Sequence, residues 1–177
     1  MSLSTNEQTD IIEEARTHYH SLLGSFLSII LGTVDAGGEP DASYAPSIID
    51  EDRNLYVYIS ALSQHTGNIK DTGKASALII EDESLGNQVF ARKRITFACK
   101  PSLIERHSRE WENRMEDFKD KFGKLMDHLA TMEDFDMIRL SPASGRLVTG
   151  FGRAFDLSGE RMDITEHVRG HAGKGHP

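Results

Sequence analysis

Three histidines stand among glycines in the last stretch of the chain, where residues 167–177 read HVRGHAGKGHP. Imidazole nitrogens bind transition metals and heme iron, so this stretch is a first candidate for chemistry. Three interpretations are open: a polar tail without a task, a metal clip in which His167 and His171 share one helical face, or a mobile arm that carries one iron ligand. The glycines disfavour the helix that the clip requires, and the third ligand of a zinc site is missing.

Three consecutive cations, Arg92, Lys93 and Arg94, interrupt an otherwise acidic chain. Apolar and polar residues alternate over 95–99, which is typical of a strand with one buried face. Arg92 and Arg94 would then share the opposite face. Two interpretations are open: a clamp for an anionic group such as a flavin phosphate or the propionates of a heme, or a solvated edge strand whose cations discourage further strand pairing.

A cluster of polar residues forms the second candidate site: Ser60, Ser63, His65, Thr66 and Asn68. They lie where a predicted strand ends and a predicted helix begins. Backbone donors at a helix N-terminus favour anions, so the cluster could bind a ligand. The other interpretation is a capped helix whose polar side chains only hold the turn.

The only cysteine, Cys99, falls on the apolar side of its predicted strand, so we expect an inert core thiol. The sequence contains no glycine-rich phosphate loop and no HExxH, GxSxG or CxxC motif. Catalysis, if present, would therefore depend on a cofactor.

Composition narrows the class of protein. The net charge is −8, with 28 acidic against 20 basic residues, which argues against nucleic-acid binding. One cysteine cannot form an intramolecular disulfide, the first residues lack the apolar core of a signal peptide, and the longest apolar run, 26–34, is too short to span a bilayer. We expect one cytoplasmic domain without a membrane partner.

The periodicity of apolar residues predicts a mainly β protein with flanking helices (α+β), built as a small antiparallel barrel. The predicted helices cover 4–23, 63–72 and 107–130. The predicted strands cover 27–35, 40–50, 54–60, 75–82, 90–99, 135–142 and 146–159. We divide the domain 1–177 into an N-terminal helix (1–24), a barrel with the inserted helix 107–130 (25–159) and a C-terminal tail that carries a ligand (160–177).

Five blocks in order make the chain recognisable: GTVDAGGEPDASYAP (32–46), YVYISALSQHTGN (56–68), IEDESLGNQVFARKRITF (80–97), DFDMIRL (134–140) and VTGFGRAF (148–155). Together they resemble the heme-utilisation branch, of the HugZ and HutZ type, of the pyridoxamine 5'-phosphate oxidase-like FMN-binding split-barrel family. The resemblance implies a six-stranded antiparallel split barrel that forms a homodimer, with the ligand in clefts between the subunits.

The resemblance also implies which ligand to expect. Flavin-binding relatives carry Ser-Arg-Lys for the FMN phosphate after the third strand, where this chain has Ser63, Gln64 and His65. The family's Gly-His near the end matches Gly170 and His171, which makes His171 the expected ligand of heme iron.

The remaining site residues also follow from the resemblance. The family places an aspartate against the iron-bound imidazole, and Asp134 matches it. Arg92 and Arg94 are the expected propionate or distal contacts, so that Arg92 and Asp134 are the candidate catalytic residues.

These implications predict a dimeric heme-binding protein that degrades heme to release iron with electrons from an external donor. A non-catalytic heme carrier or storage protein is a second class. The alternative cofactor is FMN, in an oxidoreductase that uses Arg92, Arg94, Ser60 and His65 on the phosphate, with Asn68 beside them.

Overall fold

The computed structural model describes residues 5–86 and 88–168. The expected iron ligand His171, and His176, lie outside the described residues. Among the described residues there are four α-helices: α1 (Thr5–Ser25), α2 (Gln64–Thr72), α3 (Arg109–Phe122) and α4 (Leu125–Leu129). There are eight strands: β1 (Ser28–Val34), β2 (Pro40–Ile49), β3 (Leu55–Ser60), β4 (Ala75–Ile80), β5 (Arg94–Ile104), β6 (Phe135–Gly150), β7 (Arg153–Ser158) and β8 (Asp163–Val168).

Six of the strands form a closed antiparallel barrel. Their order is β3-β2-β1-β4-β5-β6, and the pairing of β3 with β6 closes the ring. The strand β6 is long enough for its first half to pair with β3 and its second half with β7, from which β8 extends the sheet. The predicted fold, a mainly β chain with a six-stranded antiparallel barrel and flanking helices, is confirmed.

The hydrophobic residues form two clusters on either side of β3. The first fills the barrel and is covered by the apolar face of α1, whose Ala15 and Tyr19 are buried in it. The second lies between the outer face of β3 and the helices α3 and α4, where Tyr56 and Tyr58 contact Trp111 and its neighbours. Burial on both faces explains why β3 does not alternate between exposed and buried side chains.

The first part of the predicted tail belongs to the sheet. Residues 163–168, which we placed in a ligand-carrying tail, form β8 and pair with β7. Ile164 packs against the barrel core, which gives this segment an apolar anchor. Within the part of the chain that the structure describes, the sheet therefore extends to Val168.

The structure lacks one break that the sequence predicted and contains one that it did not predict. The strands 135–142 and 146–159 were expected to be separated near Pro142, yet β6 continues through it to Gly150. A register shift between Ala98 and Cys99 accommodates the proline, which lacks the ladder donor. Conversely, the helix predicted over 107–130 is divided at Gly123, whose φ of 74° ends α3.

The antiparallel strands define two opposite ends of the barrel. Ser60 pairs with Phe135 at one end, which we call the Ser60 end. Ile80 pairs with Arg94 at the other, which we call the Arg94 end. Among the described residues, no helix is both long and apolar enough to cross a membrane.

Candidate functional site

At the Ser60 end, the first turn after β3 holds Asp134 in place. The Ser60 hydroxyl donates a hydrogen bond to the Asp134 carboxylate at 3.3 Å, and the Ala61 amide donates to the Asp134 carbonyl at 2.6 Å. The Leu62 amide in turn donates to the Ser60 hydroxyl at 3.2 Å. Two predicted site residues, Ser60 and Asp134, are therefore in direct contact.

Asn68 and His65 lie beside a second polar group at the same end. The Asn68 amide donates to the Thr33 hydroxyl at 3.0 Å, and that hydroxyl donates to the Asp41 carboxylate at 3.2 Å. Burial lowers the pKa of His65, although Asp41 opposes the effect. The buried Nε2 of His65 has no hydrogen-bond partner among the described residues. The ring is thus a neutral imidazole with one nitrogen unused.

The start of α2 offers little to a phosphate. The Ser63 side chain makes no capping hydrogen bond, while the buried Thr66 hydroxyl donates to the Ser60 carbonyl at 2.7 Å. The segment 60–68 contains no lysine or arginine. Thr66 therefore holds the turn, and the cationic partners that a phosphate dianion prefers are missing from this segment.

The Arg92 side chain binds to residues of the loop that precedes β5. Its Nε and Nη2 donate to the Glu81 carbonyl, and its Nη1 lies 2.9 Å from the Glu83 carboxylate. The strand β5 begins only at Arg94, because residues Val89–Ala91 form a 3-10 turn. The prediction that Arg92 and Arg94 share one face of a strand is wrong.

Arg94 occupies a cationic and apolar end of the barrel. Its Nη1 donates to the Arg92 carbonyl at 3.0 Å, and no carboxylate of the described residues pairs with it. The 3-10 turn next to it exposes 70% of Val89 and 83% of Phe90, and the turn after β6 exposes 71% of Phe151. A half-buried guanidinium without a carboxylate partner among the described residues, beside exposed apolar side chains, suits a flat apolar ligand that carries an anionic group.

The register of the sheet leads from Arg94 to the last described residue. Arg94 pairs with Val148, Val148 with Ala154, and Ala154 with Val168. Neighbouring strands lie about 4.8 Å apart, so three spacings give about 14 Å between Arg94 and Val168. The chain therefore leaves the described part of the structure near the Arg94 end.

The histidine nearest this point, His167, has structural partners. Its ring stacks on Phe155 with 4.8 Å between ring centres, and its Nε2 lies 3.2 Å from the Gly152 carbonyl. His167 is in a strand, so it cannot share a helical face with His171 as the metal clip requires. Within the described residues, no group of three or more His, Cys, Asp or Glu side chains is arranged to hold a metal ion.

Cys99 is buried as expected. Its exposed fraction is 8%, and burial raises the pKa of its thiol to about 12. A thiol at this pKa carries almost no thiolate near neutral pH, so it is not a nucleophile.

Two features of the structure had no signal in the sequence. Arg106 contacts three backbone carbonyls next to Asp134, but it is a single arginine at the end of a strand. The outer face of β1, β2 and β4 exposes Tyr44 and Ile30, which are paired across the strands. Their positions in separate strands gave no indication that they are neighbours.

The chain also matches a known family along most of its length. Residues 15–149 match the family model described as Pyridoxamine 5'-phosphate oxidase. The chain belongs to this family. The family resemblance drawn from the five sequence blocks is thereby confirmed.

Similar proteins give a narrower comparison. The chain is 38% identical over 146 residues to a protein of Vibrio cholerae named heme oxygenase HutZ, covering 82% of this chain and 80% of HutZ. The crystal structure of HutZ, there called a heme storage protein, superposes with a TM-score of 0.72 at 33% identity, covering 77% of this chain and 94% of that one. ChuZ of Campylobacter jejuni gives a TM-score of 0.81 at 30% identity, covering 92% of this chain and 66% of ChuZ.

Proposed function

We propose that this chain binds heme at the Arg94 end of the barrel and opens it oxidatively to release iron, with electrons from an external donor. The observation that carries the proposal is the row from Arg94 to Val168, which brings the start of the histidine tail to the same end as the half-buried guanidinium of Arg94. His171 follows Val168 by three residues, a reach of at most about 11 Å.

The Arg94 end fits heme by its chemistry. Heme is a flat apolar ring with two carboxylates on one edge and an iron that binds an imidazole. Phe90 and Phe151 supply exposed apolar surface, and Arg94 supplies a guanidinium without a carboxylate partner among the described residues. A bidentate guanidinium contact would bind one propionate.

Asp134 does not lie at this end. Ser60 and its partner Asp134 are at the opposite end of the same barrel, and 13 positions of β6 separate Phe135 from Val148, the partner of Arg94. At about 3.3 Å per residue, the distance along the strand is too long for both residues of one chain to contact the same heme. If Asp134 and Arg94 serve one ligand, the two residues come from different chains.

An exposed face of the barrel suits a homodimer. Ile30 pairs with both Tyr44 and Leu78, and Tyr44 and Ile30 are 66% and 42% exposed. We call the outer face around these three residues the Tyr44 face. The next row of that face consists of small residues, which in order across the strands are Ala42, Gly32, Ser76, Ala98 and Ser144. A flat face of small and apolar side chains permits close packing of a second sheet.

A twofold dimer through the Tyr44 face would bring Asp134 of one chain close to Arg94 of the other. If the axis is perpendicular to the barrel axis, the Arg94 end of one subunit lies next to the Ser60 end of its partner. Each cleft would then combine Arg94 and His171 of one chain with Asp134 of the other.

Within such a cleft each residue has a separate task. Bound heme supplies the oxygen chemistry, and an external donor supplies the electrons. The His171 imidazole would hold the iron, and the Asp134 carboxylate would accept a hydrogen bond from the N–H of the other ring nitrogen, which would orient the ring and raise its basicity. Ser60 holds that carboxylate, and Arg94 anchors a propionate.

FMN is less well served by the described residues. Its phosphate would need cations near the start of α2, where His65 is kept neutral by burial and no lysine or arginine lies within 60–68. The experiment is an absorption titration of the purified protein with hemin and with FMN. A sharp Soret band that saturates near one heme per subunit supports the proposal, and tight binding of FMN alone contradicts it.

A second measurement separates breakdown from storage, since HutZ is named both as a heme oxygenase and as a heme storage protein. The hemin complex is mixed with ascorbate in air, and the Soret band and free iron are followed. Loss of the band with release of iron supports breakdown. A stable band in the presence of reductant supports a heme storage protein instead.

A further inference from the structure

We propose that Arg106 is the positioning residue of this site: its guanidinium fixes the loop before β6 and thereby sets where the Asp134 carboxylate lies. The inference rests on the proposed function only for what Asp134 does to a ligand. The geometry itself belongs to the ligand-free chain.

The contacts of Arg106 lie on both sides of Asp134 in the chain. Its Nη1 donates to the Ala130 carbonyl at 3.0 Å, and its Nη2 donates to the carbonyls of Met132 at 2.7 Å and Phe135 at 2.9 Å. The carbonyl oxygens flank residues 133 and 134, so the path of the backbone between them is constrained. Asp134 itself then meets Ala61, whose amide donates to its carbonyl at 2.6 Å.

These contacts are unusual for an arginine in a protein. No carboxylate of the described residues forms an ion pair with Arg106. Its hydrogen-bond partners are carbonyl oxygens and the Tyr58 hydroxyl, which lies 3.0 Å away. The face of Trp111 lies 5.3 Å from the guanidinium carbon and fixes the plane of the group. The partners of this partly buried cation are neutral acceptors. Its role is therefore to donate hydrogen bonds in a fixed planar arrangement, and not to neutralise a carboxylate.

Apart from Arg106, the loop before β6 is held by hydrogen bonds from the Thr131 and Met132 amides to carbonyls of α4, and by the contacts of Asp134 with the turn after β3. Residues Thr131–Asp134 connect the short helix α4 to β6 and form no regular structure. Without the guanidinium, the carbonyls of Ala130, Met132 and Phe135 would lose a shared charged donor. We therefore expect the Asp134 carboxylate to move relative to Ser60, and the Ala61 amide to open to solvent.

The first experiment uses the protein without ligand. Amide hydrogen exchange is measured by NMR in the parent protein, in Arg106→Met and in Arg139→Met, the matched control. Arg139 is on β6 and binds Glu110 of α3 at 3.0 Å and Ser102 of β5 at 3.2 Å, so its loss also removes contacts between elements of the fold. We expect exchange of the Ala61 amide to rise at least about tenfold in Arg106→Met alone.

The Glu81 amide is the internal reference, since it donates to the Lys93 carbonyl at the Arg94 end. An equal rise at Glu81 and Ala61 would indicate general destabilisation and overturn the proposal. An unchanged Ala61 amide would also overturn it. If Arg106→Met does not fold, Arg106→Lys replaces it. Lysine retains the charge but not the planar set of donors, so exchange of the Ala61 amide should rise in this variant as well.

The second experiment asks whether Arg106 acts through Asp134. The pH dependence of the hemin complex's absorption spectrum is compared in Arg106→Met, Asp134→Asn and the double variant. We expect both single variants to change the profile in the same direction, with the double variant equal to Asp134→Asn. A further change in the double variant would show an effect of Arg106 that bypasses Asp134 and would overturn the proposal.

A negative result for Asp134 has a different meaning. If Asp134→Asn leaves the spectrum and its pH profile unchanged, the role given to Asp134 in the proposed function fails. The exchange of the Ala61 amide still decides whether Arg106 positions the loop, because that measurement involves no heme.

Discussion

Ser60 and Asp134 lie 74 positions apart in the chain, and the Ser60 hydroxyl donates a hydrogen bond of 3.3 Å to the Asp134 carboxylate. The Asp134 carboxylate can still accept a hydrogen bond from a second donor, because each of its oxygens accepts more than one hydrogen bond. In the proposed site, that donor is an imidazole of the partner subunit.

Asp134→Asn should retain hemin binding and slow heme breakdown in ascorbate at least about tenfold. The amide keeps the size of the side chain and the contact with Ser60, but it is a weaker acceptor for the imidazole proton, so the basicity of the iron ligand falls. Hemin affinity and the decay of the Soret band are measured side by side. Turnover equal to that of the parent protein would remove Asp134 from the site.

His171→Ala should abolish or greatly weaken the Soret shift without changing the melting temperature. The residue stands among glycines, which have no side chains to pack with it. His176→Ala is the matched control and should bind hemin as the parent does. If His176→Ala loses the Soret shift instead, the iron ligand has been assigned to the wrong histidine.

His167→Ala should lower stability and leave the Soret shift intact. The variant loses the stack on Phe155, which is worth about 0.5–1.5 kcal/mol, and the contact with the Gly152 carbonyl. Urea denaturation and a hemin titration measure the two effects. Loss of hemin binding with unchanged stability would show that His167 is a ligand.

Arg94→Ala and Arg92→Ala should have different effects, since the two side chains have different partners. Arg94→Ala should weaken hemin binding about tenfold and change the stability of the ligand-free protein little, because it removes a single carbonyl contact. Arg92→Ala removes the contacts with Glu81 and Glu83 and should cost about 1–3 kcal/mol of unfolding free energy. Equal hemin affinity in Arg94→Ala and the parent would mean that the cationic end is only surface.

Tyr44→Asp should convert the proposed dimer to a monomer and remove heme turnover with it. Dimerisation would bury the new charge of the Tyr44 face without a partner. The free-energy cost of that burial is larger than the effect of a charge that stays on the surface. Sedimentation velocity measures the mass of the particle. Leu125→Asp, at a residue 64% exposed on α4, is the control and should leave the mass unchanged. A monomeric parent protein would contradict the composite site.

Protein stability should depend on His65 at mildly acidic pH. Burial lowers the pKa of His65 in the folded protein below its usual 6.5, so the unfolded chain binds a proton first as the pH falls. The contribution of His65 to stability is therefore complete above about pH 6.5 and is lost below it. His65→Asn should flatten the fall in unfolding free energy between about pH 7 and 5.

The sequence predicted the barrel because its strands follow local patterns. Segments such as 95–99 alternate strictly, and the turns between β1, β2 and β3 are short enough to force antiparallel neighbours. The same local signal predicted the burial of Cys99. It could not predict the course of β6 through Pro142, because a register shift at Ala98 on the neighbouring strand accommodates that proline.

The candidate residues were identified by type and by resemblance, and only the tertiary structure decided how they are grouped. Hydrogen-bonded register places Ser60 with Asp134 at one end of the barrel and Arg94 with the start of the tail at the other. Arg92 looked equivalent to Arg94 in the sequence, but in the structure the Arg92 side chain donates hydrogen bonds to the Glu81 carbonyl. Such contacts depend on residues distant in the chain, so no local pattern encodes them, and Arg106 could be recognised only once the loop it holds was in place.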